Sequence, residues 1–252
     1  MNSKILVATH KQYEFPSQKL YAPIHVGKAF TDVDFGYIGD DTQNNISLKN
    51  RNFCELTALY WAWKNNYFED ATYVGLVHYR RYFHGDLSFK KNSILSDKQI
   101  THFLNDYDAI VPKKRNYYIE SVATHYKNAH FQKDILEVEV IIKELSPEYH
   151  DAFSTLMRQR KLHLFNMFVI SKEHFENYMQ WLFMILFELE KRTDLSHYDT
   201  YQARLFGFMS ERLFNVWIIK NDLKVKEIQV ENLEGENLPL KAYNLLKRKF
   251  LK

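Results

Sequence analysis

Three clusters of polar residues in this 252-residue sequence carry groups that could do chemistry. The sharpest is His78-Tyr79-Arg80-Arg81, which follows directly on the apolar run Tyr73 to Val77. Arginine offers a planar fork of donors matched to phosphate oxygens, so a histidine and two arginines at a strand end make an anion site. The competing reading pairs Arg80 and Arg81 with surface acids. The second cluster runs from Gly39-Asp40-Asp41 through Asn45 to Lys49-Asn50. It reads either as a turn and a helix cap, or as amides and carboxylates that grip sugar or ribose hydroxyls. The third is Gly207-Phe208-Met209-Ser210-Glu211-Arg212. There Glu211 is either a helical ion-pair partner or a carboxylate base held beside a hydroxyl.

The pattern of the chain says what must position these groups. Ile5 to Ala8, Thr72 to Val77, Asp108 to Pro112 and Phe165 to Ile170 are short apolar runs of strand length. Helices are predicted over 53–68, 97–106, 134–145, 147–160, 173–192 and 200–219. Asn52 with Glu55 and Ser96 with Gln99 have capping-box spacing, and Ser146 precedes a proline at a first helical position. Phe175, Tyr178, Met179, Leu182, Leu186 and Leu189 fall on one helical face. Strands alternate with helices, which predicts an α/β layered sheet. In such sheets ligands bind outside the carboxyl ends of the strands, and His78 to Arg81 stand at one. The stretch 27–50 is expected to be loop. No domain boundary interrupts residues 1–240, so one domain is expected, followed by a basic tail at 241–252.

Other chemistries are excluded. No Gly-x-Gly-x-x-Gly, no P-loop and no Gly-x-Ser-x-Gly elbow occurs. Among eleven histidines, His125 and His130 are five apart and do not share a helical face, and no His-Glu-x-x-His is present. The lone Cys54 permits no internal disulfide and no multi-cysteine zinc site. It fits a reducing cytoplasm. The first residues do not read as a secretory signal. The longest central apolar run, Trp181 to Phe187, falls well short of the ~20 residues that cross a bilayer. A net charge of +3, with dense basic residues only in the tail, argues against nucleic acid. Aromatic residues make up 16%, enough to wall a sugar or base pocket.

Taken in order, Gly39-Asp40-Asp41-Thr42, Asn45-Ile46-Ser47, Lys49-Asn50, Cys54 to Asn65, Gly75 to Phe83 and Gly207 to Asn215 resemble a bacterial family of capsule and exopolysaccharide glycosyltransferases, long carried as a domain of unknown function. The resemblance runs from Ile5 to about Trp217. It implies a GT-A-like fold, Rossmann-like, with a mostly parallel central sheet and helices on both faces. It implies transfer of a hexose, with galactose in pyranose or furanose form, from a UDP-sugar to a surface polysaccharide built on a lipid-linked acceptor. Thr9, His10 and Lys11 would lie near the nucleotide. Asp40, Asp41, Asn45, Lys49 and Asn50 would contact sugar or ribose, and His78, Arg80 and Arg81 the diphosphate. Phe165 to Phe168 would form a strand on the acceptor side. Glu211 would be the base of an inverting displacement, with Asp199 or Asp194 next in line.

Many GT-A enzymes carry Asp-x-Asp at this strand end to hold a divalent metal. Here the first and third positions are His78 and Arg80, so the arginines would neutralise the leaving diphosphate instead. Asp40 and Asp41 leave a manganese or magnesium site open elsewhere, and no organic cofactor is expected. The implied setting is cytoplasmic, at the inner face of the membrane, with peripheral contact through Lys241 to Lys252. A reading from another class is a non-catalytic sugar- or nucleotide-binding module.

Overall fold

The computed structural model describes residues 2–234, so the basic tail lies outside the described residues. The strands, in chain order, are β1 (Ser3–Thr9), β2 (Tyr21–His25), β3 (Ile38–Gly39), β4 (Tyr73–His78), β5 (Arg81–Phe89), β6 (Asn92–Ile94), β7 (Ala109–Pro112), β8 (Arg115–Asn116), β9 (Lys161–Leu162), β10 (Phe168–Ser171), β11 (Val225–Ile228) and β12 (Val230–Asn232). The α-helices are α1 (Asn50–Phe53), α2 (Leu56–Lys64), α3 (Asp97–Leu104), α4 (Val122–Ala129), α5 (Gln132–Leu145), α6 (His150–Arg158), α7 (Lys172–Arg192) and α8 (Leu205–Lys220).

The main sheet has the order β11-β7-β10-β4-β1-β2-β3. Strands β4, β1, β2 and β3 run parallel, and β10 runs against both β4 and β7. This is the expected α/β architecture with a mostly parallel sheet. β1 and β4 are buried on both faces, which is why they read as continuous apolar runs. In β1 the period of two sorts the side chains: Leu6 and Ala8 face one core, Ile5 and Val7 the other. Helices cover both faces, unequally. The first core holds residues of α1, α2 and α4 through α8. The second is closed by α3 and the β5–β6 hairpin. Gly75 sits where β10 crosses close to β4, and a Cβ there would meet the Phe168 carbonyl oxygen at 2.4 Å.

Several predicted boundaries move. The helix expected over 53–68 is broken at Cys54, whose φ is 53°. α1 ends at Phe53, α2 begins at Leu56, and the expected Asn52–Glu55 capping box does not form. The break is packed against α8, where a Cβ on Gly207 would stand 3.0 Å from Cys54 Sγ. Ser96 does cap α3, accepting from the Gln99 amide. Ser146 does not cap; its hydroxyl accepts from Trp181 Nε1 at 3.2 Å, and Pro147 opens a 3-10 turn ahead of α6. The last long helix starts later than expected, at Leu205, after a 3-10 turn over Gln202–Arg204. α4, with Ser121 as its N-cap, carried no sequence signal we read.

Candidate active site

The parallel strands β1, β2 and β4 end at Thr9, His25 and His78, along one edge of the sheet. Because β10 is antiparallel, the chain enters it at that same edge through Phe165 and Asn166. Both adopt left-handed backbone, with φ of 76° and 52°. Strand was expected here. The observed strand begins only at Phe168, and Phe165 and Asn166 form a turn against the end of β4. The His78 ring fixes that turn, with Nε2 donating to the Phe165 carbonyl at 2.7 Å.

A cleft of about 440 Å³ opens at this edge. His10, His78, Arg80 and Arg81 line it from the strand ends. Asn50, Cys54 and Glu55 line it from α1 and the break that follows, and Arg204 and Glu211 from the far side. α8 is buried nearly all round, which is how it carries two charged side chains inward. Arg212 is 2% exposed, and its Nη1 donates to Glu211 Oε2 at 2.9 Å and to the Phe208 carbonyl at 2.7 Å. Glu211 Oε1 accepts from the Phe165 amide at 2.8 Å. Burial holds the Glu211 carboxyl above the usual glutamate value, against the opposing pull of Arg212. Glu55 accepts from Asn166 Nδ2 at 2.7 Å, and the same amide donates to the Gly207 carbonyl. Burial keeps the His78 and His10 rings below their ordinary value, helped at both by Arg80. The cleft therefore joins a cationic end to a pair of carboxylates.

Residues 4–222 match the family described as a domain of unknown function, DUF4422. The chain belongs to the DUF4422 family. It is similar to the apo structure of WbbM, a bifunctional glycosyltransferase, at 33% identity and a TM-score of 0.83. The match covers 94% of this chain and 46% of that one, so this DUF4422 chain spans about half the length of the relative it matches. No curated protein matches it.

Of the residues singled out by sequence, this DUF4422 member brings His10, Asn50, His78, Arg80, Arg81 and Glu211 together in one cleft. The others do not line it. Thr9 is buried, and its hydroxyl donates to the Lys11 carbonyl at 2.7 Å, shaping the loop after β1. Lys11 and Arg80 converge on Glu234, at 3.3 and 3.2 Å. Asp40 is fully buried and accepts from the Gly27 and Lys28 amides and the Ser47 hydroxyl. Asn45 closes its own turn, donating to the Asp41 and Gln43 carbonyls. Asp41 is exposed and does not line the cleft. Lys49 is paired with Glu190 at 2.6 Å. Asp194 and Asp199 accept from Ser196 and Gln202 in local turns. The cluster over 39–50 is thus mainly a scaffold, the plainer of its two readings.

Asn50 is the exception in that stretch. Its Nδ2 donates to the Cys54 carbonyl at 2.7 Å and to Thr57 Oγ1, bracing the helix break. Sequence reasoning missed Glu55, Arg204 and the Phe165–Asn166 turn. Glu55 looked like half of a capping box, and the signal that could have corrected this was the small Gly207 opposite Cys54. Asp40 and Asp41 do not offer a divalent cation a shared pair of carboxylates, because Asp40 is fully buried with three donors on it whereas Asp41 faces solvent. Among the described residues no group of three or more His, Cys, Asp or Glu side chains is arranged to hold one. No helix of the described residues is long and apolar enough to cross a membrane.

Proposed function

We propose that this chain is a glycosyltransferase that moves a hexose, galactose in pyranose or furanose form, from a UDP-sugar to a hydroxyl of a growing surface polysaccharide. The observation that carries the reading is the placement of Glu211, a carboxylate fixed by two donors and open to the same cleft as Arg80 and Arg81. Membership of the DUF4422 family and the likeness to part of a bifunctional glycosyltransferase support it.

In this reading the donor diphosphate lies against Arg80 and Arg81, with His10 and His78 beside it as neutral donors and acceptors. An acceptor hydroxyl oxygen attacks the anomeric carbon. The bond from that carbon to the diphosphate oxygen breaks, its electron pair leaves with UDP, and the hydroxyl proton passes to Glu211, giving inversion. Burial raises the proton affinity of Glu211, which makes it a stronger base than a solvated glutamate. The arginines offset the charge that develops on the leaving group, a role that elsewhere falls to a metal. We propose in addition that the basic residues of 241–252 bring the enzyme to an anionic membrane face that carries a lipid-linked acceptor.

Melting curves test the donor. Near 100 times its dissociation constant, a ligand adds about 2.7 kcal/mol of stability. UDP and UDP-galactose should raise the midpoint where GDP-, ADP- and CMP-sugars do not, and EDTA should leave the UDP shift in place. Equal or absent shifts across all four nucleotides remove the donor assignment.

A further inference from the structure

Arg204, which lines the cleft, also packs on Phe208, one of three aromatic rings that form a shelf beside it. Tyr201 is 52% exposed although it stands beside a site. Its ring lies nearly parallel to His130, with centroids 5.9 Å apart and planes 15° from each other, and 5.1 Å from the Phe208 ring. His130 and Phe208 pack on each other, with ring centroids 4.3 Å apart. Gln202 locks it, accepting from His130 Nδ1 at 2.9 Å and donating to the Ala129 carbonyl at 3.0 Å. At the inner end Arg204 spreads over Phe208, with Cζ 5.5 Å from the ring centre. Its Nε donates to Cys54 Sγ at 3.3 Å, a weak acceptor that leaves the remaining guanidinium donors for a ligand. One short 3-10 turn, Gln202–Arg204, thus follows an exposed ring and ends on a cation that lines the cleft.

The contacts place this shelf. The Arg81 guanidinium lies 4.9 Å from the Phe165 ring centre, and the Phe165 amide donates to Glu211. Asn166 donates to Glu55, and Arg204 donates to the neighbouring Cys54. The carboxylates therefore stand between two cationic ends. Arg80 and Arg81 mark one, and Arg204 with its aromatic rings marks the other. A sugar ring suits the second end. Its C–H face carries slight positive charge and meets the negative face of an aromatic ring, while its rim hydroxyls reach an arginine fork.

We propose that Tyr201, Phe208 and Arg204 form the acceptor subsite, with an uncharged glycosyl unit of the acceptor stacked on Tyr201 and hydrogen-bonded at its rim to Arg204. The proposal rests on the glycosyl-transfer reading for its direction, with acceptor at this end and donor at the other.

The test measures sugar binding and nucleotide binding separately. Saturation-transfer NMR titrations use methyl β-D-galactopyranoside, methyl β-D-galactofuranoside and octyl β-D-galactopyranoside as probes. The proteins are the unsubstituted chain, Tyr201→Ala and Tyr201→Phe, and the UDP melting shift is recorded for each. At least one probe should receive saturation on its ring protons. Tyr201→Ala should weaken its binding about five- to tenfold, the range of one lost aromatic contact. Tyr201→Phe keeps the ring and should stay within about twofold of the unsubstituted chain. The UDP shift should be equal in all three. No transfer to any probe in the unsubstituted chain, or unchanged binding in Tyr201→Ala, overturns the subsite. Probe binding that depends on Tyr201, without any UDP shift, keeps the sugar shelf and removes the nucleotide-sugar reading instead.

Discussion

Asp40 and Glu211 hold a carboxylate below the surface in opposite ways. Asp40 is 0% exposed and accepts from two backbone amides and a hydroxyl, all from the loops after β2 and β3. Three bonds close those loops, and the acceptor site left on Oδ2 has no exposed surface through which a ligand could reach it. Glu211 accepts one bond at each oxygen, from Phe165 and Arg212, and its side chain keeps 18% exposure toward the cleft. Each carboxylate oxygen has two lone-pair sites, so Glu211 retains capacity for a ligand proton. The lesson is that a buried acid becomes available to chemistry through the acceptor sites left over after folding. Rank among polar neighbours in the sequence does not decide it.

The largest expected effect separates these two acids directly. Glu211→Gln should lower turnover by about 10²- to 10⁴-fold, the contribution of a positioned base, while UDP still raises the melting midpoint. Asp40→Asn should do the reverse. The amide replaces an acceptor oxygen with a donor that faces other donors, and hydrogen bonds to a buried charge contribute about 1.5–3 kcal/mol each. Urea unfolding should therefore show a loss on the order of 3 kcal/mol, with turnover per folded molecule close to unchanged. Loss of turnover in Asp40→Asn at full stability would invert the comparison.

A smaller effect is the pH response. In the transfer reading Glu211 must be ionised to take a proton, and burial raises its folded value above the ordinary 4.5. Activity should fall on the acid side through a limb lying above the usual carboxylate range, and Glu211→Gln should flatten it. The same shift carries a stability sign. The folded chain holds this proton more tightly than the unfolded chain, so the contribution of Glu211 is greatest at low pH and declines as pH rises through its folded value. A kcat profile whose acid limb sits at an ordinary glutamate value would assign the proton elsewhere.

Much of this was legible in the sequence, and the residues show where legibility stops. The apolar run to Val77 followed by His78-Tyr79-Arg80-Arg81 announced a strand end with cations, because period and burial are local properties. Glu211 in an otherwise apolar helix was conspicuous for the same reason. A turn around Asp40 was one of the two readings, but the loops it closes were not legible, since its donors at Gly27 and Lys28 come from 13 and 12 residues away. Phe165 and Asn166 read as strand because they open a largely apolar run; Phe165 carries no local mark of left-handed backbone, although Asn166 is a residue type that tolerates it. Their conformation is set by His78, Glu55 and Glu211, which are distant in sequence. Glu55 was hidden by a helix break that the packing of Cys54 against Gly207 and the brace from Asn50 explain.

The smallest expected effect concerns the opposite end of the cleft, where a third carboxylate occupies the place proposed for the donor. Glu234 bridges Lys11 Nζ at 3.3 Å and Arg80 Nη1 at 3.2 Å. It is held there by backbone pairing, with the Leu233 amide donating to the Arg80 carbonyl at 2.9 Å and β12 paired to β5. Unlike Asp40 it is solvent-facing, and unlike Glu211 it is fully matched by cations. In the transfer reading it stands in for an anionic oxygen of the diphosphate, which must displace it. Glu234→Gln removes the competing charge and should tighten UDP binding. Both partners are more than a third exposed and screened by salt, so the gain should not exceed about fivefold. Calorimetric titration at ~0.05 and ~0.5 M salt should show the difference between the two proteins shrinking as the Debye length falls. Weaker UDP binding in Glu234→Gln would make this carboxylate part of the donor site, gripping a ribose hydroxyl rather than holding the place of a phosphate.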